Sequence, residues 1–281
     1  MSARLVPIVD LGAPEVAPYA SVRDRDLARA EKRADGAFVA EGEVVVRVLA
    51  SPRQRRFRVR SLLVERRRVD AIGDVIEALP SDVTVYVAPQ EVMDGIVGFH
   101  IHRGILALGE RGAELAPREV LEAEHGAGRG RSLAVGLVSL TNHDNVGSIF
   151  RNAAAFGARG VLLDGATCDP LYRKAIRVSV GGALVVPFAR CATAHAMIEE
   201  ASALGWEVLG LTARGDAAIG EVVREPPKVG RLLLLGTEGD GLPADVLAKV
   251  RRVRIEMTET LDSLNVAVAS GIALYECTRP L

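Results

Sequence analysis

The stretch SLAVGLVSLTNHDNVGSIFRNAAAFG, residues 132–157, decides the fold. Residues 132–140 form an apolar run, the mark of a strand buried on both faces. From Asn145 the pattern becomes helical, and Gly157 supplies the residue that closes the helix. The alternation continues outward. RGVLLDG (159–165), ALVVPFA (183–189), WEVLGLTA (206–213), RLLLLGTE (231–238) and RVRIEM (252–257) read as strands. Helices are expected over THAMIEEASALG, at about 216–223 and 243–250, and over SLNVAVASGIALYECT (263–278). Nearly continuous apolar strands alternating with helices define an α/β domain whose parallel sheet is covered on both faces. Ligands of such sheets bind beyond the carboxyl ends of the strands. Chemistry is therefore expected in the loops after residues 140, 213, 236 and 257.

Upstream the texture differs. Residues 1–20 read as an extended, proline-containing N-terminal arm. Residues 21–110 carry shorter elements. Strands are expected at FVAEG (38–42), RVRSLLVE (58–65), VTVYVA (83–88) and ILALGE (105–110). Helices are expected at RDRDLARAEKRAD (23–35), EVVVRVLAS (43–51) and RVDAIGDVIEAL (68–79). Together they describe a small mixed α/β domain. RGAELAPREVLEAEHGAGRGR (111–131) reads as a linker holding one short helix around PREVLEAE. The second domain then runs over 132–281.

With 281 residues, 49% hydrophobic and 25% charged, the chain has ample material for buried cores. That composition excludes a disordered chain, a collagen and a small disulfide scaffold. No apolar run reaches the roughly 18–20 residues of a membrane span. Asp10 and Glu15 interrupt any signal-peptide core at the N-terminus. Cys168, Cys191 and Cys277 are far apart and form no Cys-x-x-Cys, so a zinc ribbon or redox pair is not expected and a reducing cytoplasm is. The net charge of −1 argues against bulk nucleic-acid affinity but leaves room for a local patch. RQRRFRVRSLLVERRR (53–68) holds eight arginines against the single acid Glu65. It is either a phosphate-binding face or a solvated basic one.

Three segments carry chemistry. In the first, Asn142, His143, Asp144 and Asn145 follow a strand and open a helix. A helix cap explains one of the four, not all. Asn145, Ser148 and Asn152 then share a polar face, with Arg151 about 100° away on its rim. In the second, LLLLGTEGDGLP (232–243), a strand breaks into Gly236, Gly239 and Gly241 around Glu238. The spacing is neither the dinucleotide fingerprint nor a P-loop. In the third, RIEMTETLDSLNVAVASGIALYE (254–276), Asp262 or Ser263 is a candidate cap. Ala267, Ser270, Gly271 and Leu274 form a small-residue face suited either to core packing or to a dimer helix.

Together these segments resemble the SpoU (TrmH) family of RNA ribose 2′-O-methyltransferases, in the knotted SPOUT superfamily. The likeness runs over 132–278. Asn-x-x-Asn-x5-Arg-x-Ala-x-x-Phe-Gly stands as Asn142, Asn145, Arg151, Ala153, Phe156 and Gly157. Gly-x-Glu-x-x-Gly-Leu stands as Gly236, Glu238, Gly241 and Leu242. Ile-Pro-Met followed by Ser-Leu-Asn-Val stands as Ile255, Glu256, Met257, Ser263, Leu264, Asn265 and Val266. Glu256 replaces the usual Pro and Glu259 a common Gly, both in the loop that would wrap the cofactor. Residues 36–109 are similar to the family's substrate-binding accessory domain, itself like a ribosomal-protein fold.

The resemblance implies S-adenosyl-L-methionine as methyl donor and a ribose 2′-hydroxyl of tRNA or 23S rRNA as acceptor. It implies a deep C-terminal trefoil knot and a homodimer through the C-terminal domain, with no metal and no membrane. Thr212, Gly236, Ile255, Met257 and Leu264 would bind the cofactor. Asn145, Glu238, Ser263 and Asn265 would orient the ribose and Arg151, the family's proposed base. Because a guanidinium is very hard to deprotonate, stabilising the developing alkoxide is the easier role. Asn142, Arg53, Arg55, Arg56 and Arg58 would contact RNA. A SPOUT base methyltransferase and a non-catalytic RNA-binding module remain the alternatives.

Overall fold

The computed structural model describes residues 3–20, 36–52, 54–122, 132–258, 260 and 262–279. The helix expected over 23–35, the glycine-rich end of the linker, Arg53 and Glu259 lie outside them. The strands are β1 Arg4–Pro7, β2 Ala37–Glu41, β3 Arg58–Glu65, β4 Thr84–Ala88, β5 Ile105–Glu110, β6 Ser132–Leu137, β7 Gly160–Leu163, β8 Phe188–Arg190, β9 Glu207–Leu211, β10 Ala217–Ala218, β11 Gly230–Leu235 and β12 Arg251–Arg254. The helices are α1 Glu43–Ala50, α2 Gly73–Ala78, α3 Gln90–Val97, α4 Pro117–Glu122, α5 His143–Ala155, α6 Arg173–Val178, α7 Gly182–Val185, α8 Ala194–Ala203, α9 Ile219–Val222, α10 Ala244–Leu247 and α11 Val266–Thr278. The chain divides into two compact units, Met1–Ala113 with Asp169–Val185, and Glu114–Cys168 with Val186–Leu281.

The first unit is a mixed five-stranded sheet in the order β1-β4-β3-β5-β2. The segment read as an N-terminal arm supplies its edge strand, β1 pairing parallel to β4. A 3-10 turn over Pro14–Tyr19 then buries Tyr19 completely, its hydroxyl 2.7 Å from Ser61 Oγ. That burial pushes the Tyr19 phenol above its ordinary range. Ile8, Val16, Leu63, Met93, Ile101 and Leu106 form the core between sheet and helices.

Residues 169–185 belong to this first unit, although they lie within the stretch read as a single C-terminal domain. Arg173 of α6 and Glu41 of β2 are both buried and meet at 2.5 Å, with Arg177 3.6 Å from the same carboxylate oxygen. The strand expected over 183–189 forms only from Phe188. Before it, Ser179 Oγ accepts from Ala183 N–H at 3.1 Å, and Gly181 takes a left-handed φ of 84°. This local cap turns Gly182–Val185 into a helical turn.

The second unit is a seven-stranded sheet in the order β10-β12-β9-β11-β6-β7-β8, every neighbouring pair parallel. Leu162, Leu232 and Leu234 pack against Met197 and Ile198 of α8 and against Trp206. At the start of β11, Arg231 is 2% exposed and donates to Glu207 at 2.8 Å and to the carbonyl of Val222 at 3.0 Å. Arg251 joins the same network at Glu225, 2.9 Å away, and holds that carboxyl below its ordinary range. β9, β11 and β12 are thus tied at their amino ends, which leaves their carboxyl ends to build a site. Among the described residues, no helix is long and apolar enough to cross a membrane.

The buried pair in the first unit makes a clear prediction. Glu41→Ala strands the Arg173 charge and is expected to destabilise the protein by about 3–5 kcal/mol. Glu41→Leu combined with Arg173→Met removes both charges and is expected to recover most of that loss in urea unfolding.

Candidate active site

The turn that leads into α5 is set by a residue the motif reading passed over. Buried Asp164, just after β7, accepts from Ser139 N–H at 2.9 Å, Thr167 N–H at 2.8 Å and Thr167 Oγ1 at 2.7 Å. This web holds Ser139 at a left-handed φ of 58°. The Asp-Gly pair at 164–165 was the available signal, since that dipeptide marks turns. From the turn, Asn142 caps α5, its Oδ1 accepting from the N–H groups of Asp144 at 2.8 Å and Asn145 at 3.4 Å.

α11 begins in the same way. Asn265 Oδ1 accepts from Ala267 N–H at 2.9 Å and Val268 N–H at 3.3 Å. The cap is therefore Asn265, not the expected Asp262 or Ser263. Its Nδ2 donates to Asn145 Oδ1 at 3.1 Å. Two helical turns further along α5, Asn152 Nδ2 donates to the Ala267 carbonyl at 2.8 Å and to Ser270 Oγ at 2.9 Å. The face holding Ala267, Ser270 and Leu274 is thereby spent on packing inside the unit. Arg151 stands outside this seam. It is exposed, and among the described residues its side chain has no hydrogen bond or ion pair.

Beside the start of α11 lies a cleft of about 670 Å³, formed by the loops after β9, β11 and β12. Thr212, Gly236, Ile255, Met257 and Leu264 all line it, with Glu238 and Ser263. Leu211, Leu235, Val266 and Ala269 add apolar wall, while Arg214, Asp240 and Asp262 add charge. Glu256 is exposed and does not line the cleft. Gly236 has a different reason for being glycine than ligand approach. A β-carbon there would sit 2.3 Å from the carbonyl carbon of Gly241 and 2.4 Å from Leu242 N. The loop doubles back on itself, closed by Thr237 N–H donating to Gly241 O at 3.3 Å.

The basic run in the first unit is not gathered into one patch. Arg58 pairs with Asp82. Arg56 is half-buried with its guanidinium 5.3 Å from the Phe57 ring centre, while Arg55 is exposed. The acids nearest the run in sequence do not pair with the guanidinium groups of Arg55, Arg56 or Arg58. Glu41 takes Arg173, Glu43 takes Arg47, and Glu65 accepts from Arg67 N–H. The three cysteines are buried and form no disulfide among the described residues, and burial pushes the Cys191 thiol up to about 11, so it offers no thiolate at neutral pH. Among the described residues, no three His, Cys, Asp or Glu side chains gather into a group that could hold a metal.

A parallel α/β sheet with a mixed-charge cleft at three carboxyl strand ends defines a domain for a small polar ligand or cofactor. The sequence profile of the SpoU rRNA Methylase family matches residues 132–275. A protein of Mycobacterium tuberculosis (strain ATCC 25618 / H37Rv) named as an uncharacterized tRNA/rRNA methyltransferase is 38% identical over 263 residues, covering 91% of this chain and 87% of the relative. The chain belongs to the SpoU rRNA methylase family. The AdoMet-bound rRNA methyltransferase of Sinorhizobium meliloti shares the fold with a TM-score of 0.76 at 23% identity, over 97% of each chain. The SpoU methyltransferase AviRb of Streptomyces viridochromogenes, solved with AdoMet, gives a TM-score of 0.71 at 23% identity, over 94% of this chain and 96% of that one.

The doubled-back loop can be tested without ligand. Gly236→Val is expected to cost about 1–3 kcal/mol through overpacking against Gly241. Calorimetry of the ligand-free variant is expected to show a midpoint several degrees lower, by about 2–4 °C per kcal/mol.

Proposed function

We propose that this chain transfers a methyl group from S-adenosyl-L-methionine to a ribose 2′-hydroxyl of structured RNA, a tRNA or 23S rRNA. The observation that carries the reading is the convergence of three loops on one cleft, beside the bonded caps Asn145 and Asn265. The cleft's residues fit this donor. Its volume lies in the roughly 300–1,000 Å³ range of small-molecule sites. Leu211, Leu235, Ile255 and Leu264 offer walls to a flat base, and Glu238, Asp240 and Asp262 complement cationic groups. Arg214 complements a carboxylate. When bound, the cofactor supplies an electrophilic methyl on its sulfonium.

The chain's own residues do the rest. Thr212, Gly236, Ile255, Met257 and Leu264 would hold the donor. Asn145, Asn265, Ser263 and Glu238 orient the ribose and Arg151. Arg151 stabilises the alkoxide as the hydroxyl loses its proton, a role that suits a group so hard to deprotonate. Asn142 spends its oxygen on the α5 cap, which leaves its amide N–H groups for RNA. The insertion of β11 between β6 and β9, followed by the return of α11 onto α5, supports a C-terminal trefoil knot. The first unit carries RNA.

Transfer of a labelled methyl from the donor to tRNA or 23S transcripts, followed by nuclease digestion and mass spectrometry, tests the reaction. The label is expected on ribose, and a 2′-deoxy target nucleotide is expected to abolish transfer. Arg151→Ala is expected to lose nearly all transfer while cofactor affinity stays within a few-fold. Label on a base overturns the acceptor.

Two copies associate through the second unit. The surface is Val268, Ile272 and Tyr275, spaced i, i+4, i+7 on α11 and exposed by 53%, 37% and 52%. Light scattering of the wild-type chain at micromolar concentration is expected to give a dimer and Ile272→Lys a monomer. A wild-type monomer removes this assignment.

A further inference from the structure

Several arginines of the first unit are neutralised within it. Arg47 binds Glu43, Asp74 and the carbonyl of Ala71, Arg58 binds Asp82, and Arg111 binds Asp169. Arg66, Arg67, Arg68 and Arg103 differ. All four are exposed, and among the described residues their guanidinium groups meet no carboxylate.

These four are neighbours in space. Arg66–Arg68 follow β3 and Arg103 precedes β5, and the two segments are joined where Glu65 N–H donates to Gly104 O at 2.7 Å. A β-carbon on Gly104 would lie 3.4 Å from Arg68 Cγ, and one on Gly42 would lie 2.8 Å from Arg103 Cδ. The glycines thus let both side chains lie down against the end of the sheet, Arg103 with its Nη1 2.9 Å from where a Gly42 β-carbon would be.

The same loop presents two exposed aromatic rings. His100 and His102 meet edge to face with centres 4.6 Å apart. The pair is anchored from below. Asp94 accepts from Ile101 N–H at 2.9 Å and Gln90 Nε2 at 2.7 Å on one oxygen, and holds His100 Nδ1 at 2.7 Å with the other.

We propose that this surface, the end of β3 with the 99–104 loop, is where the first unit grips an unpaired stretch of RNA. Arg66, Arg67, Arg68 and Arg103 take phosphates through their planar forks. His102 stacks on an unstacked base. An acidic protein would use the arginines but gain little from the anchored rings, and the rings decide for RNA. The inference rests on the reading of the chain as an RNA methyltransferase and moves the phosphate contact away from Arg55, Arg56 and Arg58.

Binding of the full chain to a 23S rRNA transcript and to unfractionated bacterial tRNA, measured across a salt series, tests it. The combined Arg66→Gln, Arg67→Gln, Arg68→Gln and Arg103→Gln variant is expected to bind at least one RNA about ten-fold or more weaker near 0.1 M salt. Its slope of log affinity against log salt is expected to fall by about three, since each phosphate contact contributes roughly 0.7–0.9. His102→Ala, assayed well above the ordinary imidazole pKa of about 6.5, is expected to weaken binding about five-fold or more with the slope unchanged, and His102→Phe to restore it. Arg55→Gln with Arg58→Gln is expected to change neither quantity. Unchanged affinity and slope in the four-arginine variant overturn the proposal, as does an equal effect in the control. Loss of polyglutamate binding with RNA binding intact assigns the surface to an acidic protein and also overturns it. Calorimetric titration with S-adenosyl-L-methionine separates the two levels. A wild-type chain that binds the cofactor and methylates RNA, beside a four-arginine variant that binds RNA normally, sinks this inference alone. A wild-type chain that binds neither RNA nor cofactor sinks the methyltransferase reading and this inference with it.

Discussion

Asn265 caps α11 with its oxygen and donates from its nitrogen to Asn145 Oδ1, 3.1 Å away on the first turn of α5. One amide thereby starts one helix and locks it to the start of another. Asn152 repeats the link a turn or two later, donating both to the Ala267 carbonyl and to Ser270. Polar groups in a helix contact must find partners, so they fix a register that apolar side chains alone would leave free to slide. The loop from 255 to 265 ends at this seam, and its position beside the cleft follows from it.

The sheet supplies the rest of the frame. Parallel strands place β9, β11 and β12 carboxyl ends side by side, and the Arg231–Glu207 and Arg251–Glu225 contacts brace them from the opposite end. The glycine-rich loop after β11 is shaped first by its own crossing, Gly236 against Gly241. The cleft exists because that loop folds tightly back before any ligand arrives. Asp164 does comparable work for the loop after β6, spending a buried carboxylate on the backbone and hydroxyl donors of Ser139 and Thr167 so that Asn142 can start α5.

In the first unit, one residue type meets opposite fates within a short span. Arg58 faces Asp82 and Arg56 lies over Phe57, while Arg66, Arg67 and Arg68 extend from a 3-10 turn where, among the described residues, their guanidinium groups meet no carboxylate. Positive charge in the sequence is thus not positive charge at the surface. The sheet decides which arginines a carboxylate from another element can reach.

Apolar periodicity alone establishes the alternation of elements and the parallel sheet, because it follows from burying one face or both. β3 and β5 lie where RVRSLLVE and ILALGE placed them, and the cleft takes in Thr212, Gly236, Ile255, Met257 and Leu264 together. Those readings depend on local pattern and motif spacing. Other features depend on partners far away in the chain. Asn265 rather than Ser263 caps α11, Ser270 faces Asn152 across 118 residues, and Arg173 turns to Glu41 across 132. Helix Gly182–Val185 stands where the start of a strand was expected, with Ser179 Oγ accepting from Ala183 N–H at its head. Local pattern determines which face is buried. Which buried polar group meets which depends on how the chain folds back on itself, because a hydrogen bond needs a partner within about 3 Å and the sequence carries no distance.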